Sequence, residues 1–386
     1  MNEKRGRVLF ISPQPFFEWR GTPIRIRFNL MALVELGYEV DLLTFPVGQD
    51  LDLAGVRIIR IPNVLRVKQV SIGPSLPKAA FDVLLLVWAV FLSLRRRYTF
   101  IHGIEEGGAI GVFAAFLSRC PLVFEKHSDP ASYRGSAVKN VILWFYDRVE
   151  RFTARYAASV IATGPGLVDQ VKRLARRERV HHIFDIPSSL TEASEEGVAR
   201  VREELTGGEG RVLLTYVGSF AVYQGVDLMF DSIPAVLERH PEATFIIIGG
   251  SEENIALKKK WLQERGISGA VRFLGSVAPD KLPDYLAASD VLLSPRLQGV
   301  NTPLKLLDYL KSRRVVIATD TEANRLILND KVALIVDANK EAFAEGLCKL
   351  TQDAEMRERL GQAGRRLIDE RYNYENFKAR LAERYS

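Results

Sequence analysis

Apolar positions fall into two alternating patterns along the chain. Short apolar runs of buried-strand length are separated by longer segments with helical spacing. Arg7 to Ser12 predicts a first strand, and a helix follows from near Pro23, with Thr22 as its cap. Leu30, Leu33, Val34 and Leu36 give that helix an apolar face, and Gly37 stops it. Glu39 to Thr44 completes a βαβ unit. Val56 to Ile61, Phe100 to His102, Pro121 to Lys126 and Val160 to Ala162 are further strands. Helices over Ala109 to Ser118, Asn140 to Ala158 and Leu167 to Arg177 lie among them. The first βα turn has no G-x-G-x-x-G, which argues against a dinucleotide-dependent dehydrogenase.

The second half repeats the rhythm. Val212 to Val217, Phe245 to Ile248, Val271 to Leu274, Val291 to Leu293, Val315 to Ala318 and Val332 to Val336 read as strands. Leu282 to Ala288 is a helix, and the tail from Phe343 is amphipathic helix. Polar, Glu-rich residues 188–210 read as a linker with a short helix. The expected organisation is a domain over 1–187, that linker, a second domain over 211–371 and a final helix over 372–386. The fold class is α/β, with two Rossmann-like domains.

Ser294 to Asp320 is the most informative stretch. A strand end runs through Pro295, Gly299, Asn301 and Pro303 into a helix over Leu304 to Lys311, with Thr302 as cap and Pro303 at its first position. Such a strand–loop–helix start offers free N–H groups and a positive dipole end, an anion site with Arg296 and Lys305 beside it.

Charge is uneven. Residues 1–187 hold 26 Lys and Arg against 17 Asp and Glu, whereas 188–386 hold 27 against 30. The basic first half points to an anionic partner such as a phospholipid surface or a phosphorylated acceptor; nothing points to nucleic acid. The apolar run Val83 to Leu94, flanked by Arg95 to Arg97, is shorter than the roughly 20 residues a bilayer span needs. A buried core helix and a helix at the membrane interface both remain open. Cys120 and Cys348 are too few for a disulfide framework or a metal site, and Val8 to Ile11 lacks a signal-peptide pattern, so the expected location is cytoplasmic.

The 294–320 stretch resembles the donor-binding motif of family 4 retaining glycosyltransferases, which have the GT-B fold. It is similar to the subset that reads G-(T/V)-N-T-P-L-K, here Gly299 to Lys305, with Val300 where the family's first acid usually stands. The segment from Gly218 to Asp227 resembles that subset's Y-Q-G-V-D-L form. Ser219 and Gln224 stand where the wider family has an Arg and a Lys that clamp a diphosphate. FIHGIEEGG, around His102, resembles the histidine loop at the cleft floor, and EKHSDP follows the neighbouring strand.

The resemblance implies two domains around a cleft, with the last helix crossing back to the first domain. Donor contacts would come from Gly21, Thr22, Gly218, Ser219, Gln224, Gly249, Val277, Arg296, Val300, Asn301, Thr302, Leu304 and Lys305, with Asp308 on the ribose. His127, His102 and Lys305 would serve catalysis, and Arg25, Glu105, Ser128 and Asp129 would face the acceptor. The implied reaction is metal-independent, retaining transfer of a hexose from a UDP- or GDP-linked sugar, with no further cofactor. The acceptor would be lipid-linked or a growing surface polysaccharide, met peripherally at the inner membrane face. The leaving phosphate would take the acceptor's proton. A non-catalytic carbohydrate- or partner-binding protein and a sugar-nucleotide epimerase on the same architecture are the alternatives.

Overall fold

The computed structural model describes residues 5–19, 21–70, 76–128, 137–175, 180–207, 210–299 and 302–385. The chain divides into two compact units: Met1–Asp185 together with Tyr374–Ser386, and Ile186–Asn373.

The first unit is built on a parallel sheet. Its strands are β1 (Gly6–Ser12), β2 (Tyr38–Thr44), β3 (Val56–Arg60), β4 (Phe100–Ile104), β5 (Leu122–Lys126), β6 (Ser159–Ala162) and β7 (Val180–His182). Their order is β3-β2-β1-β4-β5-β6-β7. The short β7 carries no apolar run and is not expected from the sequence. The helices are α1 (Gly21–Glu35), α2 (Leu76–Arg95), α3 (Glu106–Ser118), α4 (Ala137–Tyr156) and α5 (Pro165–Ala175). Leu9, Ile11, Leu43, Ile101, Phe124 and Val160 are buried in one core with Phe81 and Leu85 of α2, as expected of parallel strands covered by helices.

Two expectations change here. Helix α1 begins at Gly21, so Thr22 lies inside its first turn and is not its cap. Helix α2 extends beyond the apolar run at both ends, and Pro77–Arg95 is long and apolar enough to cross a membrane. Phe81, Leu85, Ala89 and Leu92 nevertheless pin it to the core. Its other face leaves Val83, Val87, Phe91 and Leu94 exposed.

The second unit carries β8 (Val212–Val217), β9 (Ala243–Ile248), β10 (Val271–Gly275), β11 (Val291–Ser294), β12 (Val315–Thr319) and β13 (Leu334–Val336). They pair in parallel in the order β10-β9-β8-β11-β12-β13. Its helices are α6 (Glu195–Thr206), α7 (Val226–Arg239), α8 (Glu252–Gln263), α9 (Leu282–Ala288), α10 (Leu304–Lys311), α11 (Glu322–Arg325), α12 (Lys340–Gln352) and α13 (Ala354–Arg371). The expected linker is largely part of this unit. Ser194 caps α6, and Val201 and Leu205 pack against Leu213 and Ile246. The tail is three helices; the last, α14 (Tyr374–Ala382), belongs to the first unit. There Tyr374 and Lys378 meet Glu35, and the Tyr38 hydroxyl donates to the Tyr385 carbonyl at 2.9 Å.

Both strand orders reverse direction once, between β1 and β4 and between β8 and β11. In open parallel sheets these switch points, at the carboxyl ends of the strands, are where ligands bind.

Candidate functional site

In the second unit the switch point is formed by the loops after β8 and β11. Gly225 stands at φ 68°, after a short 3₁₀ turn over Val222–Gln224. A Cβ there would lie 1.8 Å from the Pro295 carbonyl oxygen, so only glycine lets the two loops touch. The contact continues where the Leu297 N–H donates to the Tyr223 carbonyl at 2.9 Å. Tyr309 of α10 accepts the Val217 N–H at 2.8 Å, tying that helix to the end of β8.

Two cations gather at this point. The Arg296 side chain lies 5.3 Å from the Tyr223 ring centre and its Nε donates to the Gln298 carbonyl. Lys305 donates from Nζ to Gln224 Oε1 at 3.0 Å and sits 4.4 Å from the Tyr216 ring centre. Burial, and then the charge of Arg296, push the Lys305 ammonium down to about 7. Burial lowers Arg296 as well. Among the described residues no carboxylate pairs with either side chain. Buried cations without a counter-ion are costly, and their cluster is chemically suited to an incoming anion such as a diphosphate.

The remaining donor-side candidates scatter around this centre. Gly218 follows β8, and a Cβ on it would come within 3.5 Å of Lys305 Nζ. Gly249 packs on the Gly218 carbonyl. The Ser219 carbonyl accepts the Tyr216 hydroxyl at 2.8 Å. Val277, partly buried, packs its side chain on the cluster of Val201 and Ile246. Pro303, not Thr302, stands at the cap of α10, and no side chain caps that helix, so its start is less tied than the sequence predicts. Leu304 is its first residue. Val300 and Asn301 lie outside the described residues.

Asp308 is one turn beyond Lys305. Its Oδ1 accepts the Ser188 N–H at 2.7 Å. Burial pushes its carboxyl up to about 6 against the lowering effect of that hydrogen bond. A cavity of about 420 Å³ opens beside it, among Ser188, Glu192, Leu282, Lys311 and Arg365. None of Ser219, Gln224, Arg296 or Lys305 lines this cavity, so we place the anion site by the two cations and not by the cavity.

In the first unit the strand ends converge on Glu125 of β5, a residue absent from the sequence-based candidates. It is wholly buried. Its Oε1 accepts from Arg25 Nε and from His127 Nε2 at 2.8 Å. Its Oε2 accepts from Asn29 Nδ2 and from His102 Nε2, both at 2.9 Å. Burial alone would raise this carboxyl, but the charge of Arg25 and the two imidazole hydrogen bonds hold it well below the carboxylate range.

Several expectations are corrected by this network. His102 lies inside β4, not at its end, and is fully buried with both ring nitrogens taken by Glu125 and Tyr385. It therefore lies beneath the strand ends, out of reach of a ligand. Arg25 is 3% exposed and is held by Glu125, Asp185 and the Phe184 carbonyl, so it is an internal counter-ion and not an acceptor contact. Gly21 and Thr22 form the first turn of α1. His127 does sit at the end of β5, with its N–H donating to Glu105 Oε1 at 2.8 Å. Ser128 follows it, partly buried, and Asp129 lies outside the described residues.

Comparison with known proteins places these two units in a family. Residues 211–353 match the family described as glycosyl transferases group 1, and residues 21–183 match the glycosyl transferase 4-like domain. The chain is a group 1, family-4-like glycosyltransferase. It is 25% identical over 193 residues to the GDP-mannose-dependent alpha-(1-6)-phosphatidylinositol monomannoside mannosyltransferase of Mycobacterium tuberculosis, 48% of this chain and 50% of that protein. The chain thus spans about half the length of the curated relatives it matches first. A longer match, 23% identical, covers 89% of the chain and 86% of the D-inositol 3-phosphate glycosyltransferase of Corynebacterium glutamicum. In fold, this glycosyltransferase is similar to Anabaena HepE in complex with UDP, with a TM-score of 0.75 at 16% identity over 98% of each chain. Such a likeness concerns the GT-B fold.

Sequence reading missed Glu125, Asn29 and Tyr385. One signal was present: Glu125 and His127 are two apart on a strand and so share a face, and an acid inside the buried run LVFEK needs a counter-ion.

Proposed function

We propose that this chain transfers a hexose from a nucleotide-diphosphate sugar to an acceptor hydroxyl with retention of anomeric configuration. The observation that carries this reading is the pair Arg296 and Lys305 at the β8/β11 switch point, two cations with no carboxylate partner among the described residues. A sugar diphosphate supplies the missing negative charge. In the transfer, the bond from the anomeric carbon to the diphosphate oxygen breaks and a bond to the acceptor oxygen forms on the same face. The acceptor's proton goes to the departing diphosphate. Charge builds on that diphosphate as the bond breaks, and cations already in place lower the barrier without reorganising. This electrostatic role requires no metal. Asp308 is assigned to the ribose hydroxyls, as an acceptor ionised at neutral pH.

The acceptor is proposed to be lipid-linked, met at the inner face of the membrane. Adjacent helices α2 and α3 leave Val87, Phe91, Leu94, Phe113 and Phe116 exposed, beside the exposed cations Arg95, Arg97 and Arg119. An apolar stripe with basic flanks fits an anionic lipid surface. The matched mannosyltransferase is named for a phosphatidylinositol acceptor, in keeping with that assignment.

The test is incorporation of radiolabelled sugar from UDP- and GDP-hexoses into a lipid extract. Donor-dependent labelling that disappears in Lys305→Met supports the reading. Conversion of donor with no acceptor present would contradict it.

A further inference from the structure

We propose that Glu125 is a positioning residue that fixes the imidazole of His127 with Nε2–H turned inward and Nδ1 as a lone-pair acceptor for a ligand hydroxyl. The inference deepens the transferase reading and rests on it only for the identity of the ligand.

One buried carboxylate has its hydrogen-bonding capacity filled. Each oxygen of Glu125 already has two donors: Arg25 and His127 on Oε1, Asn29 and His102 on Oε2. An ionised carboxylate only accepts, so both imidazoles must carry a proton on Nε2. His102 is buried in a way that disfavours its charged form, so it is neutral and its Nδ1 is a lone pair. That lone pair accepts the hydroxyl of Tyr385. His102 is thus closed on both sides.

His127 differs in one respect. Its Nε2 is fixed by the same carboxylate and its backbone N–H by Glu105, but among the described residues its Nδ1 has no partner. The ring lies at the carboxyl end of β5, beside β4 at the switch point of the sheet. A held imidazole with one inward N–H and one lone pair unmet by any described residue is suited to accept a hydrogen bond from a hydroxyl. A sugar ring and an alcohol acceptor both offer one. Arg25 completes the device by keeping Glu125 ionised; a protonated Glu125 would put an O–H where a histidine now donates.

The tautomers are read by nitrogen NMR of the full chain labelled at histidine. Five histidines are present, so single replacements assign the signals. At pH 8 both His102 and His127 are expected protonated at Nε2 and bare at Nδ1. A His127 ring protonated at Nδ1, or at both nitrogens, overturns the proposal whether or not any transfer is found. A double-mutant cycle tests the functional half in the transfer assay. Glu125→Gln places an amide N–H₂ where the carboxylate offered a lone pair. It should lower kcat/KM about tenfold or more, the worth of one oriented hydrogen bond. It should have little further effect once His127 is alanine, because Glu125 acts through that ring. Fully additive losses would mean that Glu125 serves only the fold. Nucleotide-induced thermal stabilisation, which depends on the other unit, controls for intact protein in each variant.

Discussion

Lys305 and Gln224, 81 residues apart in sequence, meet through a 3.0 Å hydrogen bond from Nζ to Oε1. The wider family's clamp lysine is expected at position 224; here a lysine from α10 reaches the same turn and glutamine receives it. The turn after β8 thus has a cation beside it, supplied by α10. The ammonium has no anion to neutralise it among the described residues, and most of the expected chemistry follows from that.

Donor binding should be pH-dependent with a defined sign. Lys305 titrates near 7 in the free protein, and a diphosphate beside it favours the charged form. Affinity should therefore be highest between about pH 6, where Asp308 ionises, and about pH 7, and fall by up to about tenfold per pH unit above that. The free protein should show the opposite trend. Between about 7 and the ordinary lysine value of 10.5, the unfolded chain holds a proton that the folded chain has lost, so this residue's contribution makes stability rise with pH. Calorimetry in buffers of different ionisation enthalpy should show proton uptake on binding, and Lys305→Met should abolish it.

Gly225→Ala should destabilise the second unit by more than about 2 kcal/mol. A left-handed backbone costs a non-glycine residue about 1–2 kcal/mol, and here the added Cβ also meets the Pro295 carbonyl. Gly166→Ala is the contrast. It lies in α5 with nothing within 4 Å of its Cβ, and alanine should stabilise that helix by about 0.5–1 kcal/mol. Urea unfolding of both variants checks the pair.

Arg25→Met should leave Glu125 buried without its counter-ion. Breaking a buried pair in this way costs about 3–5 kcal/mol. The acid limb should move too. Glu125 is held well below 4.5 in the native chain, so its contribution is present above that value and lost only as pH falls through the lowered one. Without Arg25 the loss should begin at higher pH. Stability measured by urea between pH 4 and 8 resolves both effects.

Val87→Asp together with Phe116→Asp should weaken sedimentation with anionic vesicles tenfold or more and leave helical content unchanged. Both side chains are exposed, at 53% and 72%, so the fold does not need them. Equal binding by the wild-type chain and the double variant would remove the membrane surface from the account.

The strands and the two Rossmann-like sheets were legible in the sequence because they depend on local periodicity; the order of strands within each sheet was not. The apolar runs at Val291 and Val315, and the punctuation from Pro295 to Pro303, place β11, α10 and β12 almost to the residue. The contacts that give the site its chemistry are non-local and were not legible. Arg25 meets Glu125 across 100 residues, and no periodicity announces that a basic residue on α1 is a counter-ion and not a ligand. The same holds for His102. Its place in a strand can be read, but its second ring nitrogen is met by Tyr385, which arrives from the segment after α14. The cap of α10 failed for a local reason: Pro303 took the cap position that Thr302 was expected to fill.

Thermal unfolding against UDP, GDP, ADP and their hexose conjugates asks whether Arg296 and Lys305 hold a nucleotide diphosphate. A ligand at a hundred times its dissociation constant adds about 2.7 kcal/mol, which moves the melting temperature by several degrees for a chain of this size. The expected result is a shift selective for one nucleotide diphosphate, present in the wild-type chain and lost in the Arg296→Met, Lys305→Met double variant. Equal shifts in both proteins, or none with any nucleotide at millimolar concentration, would contradict it.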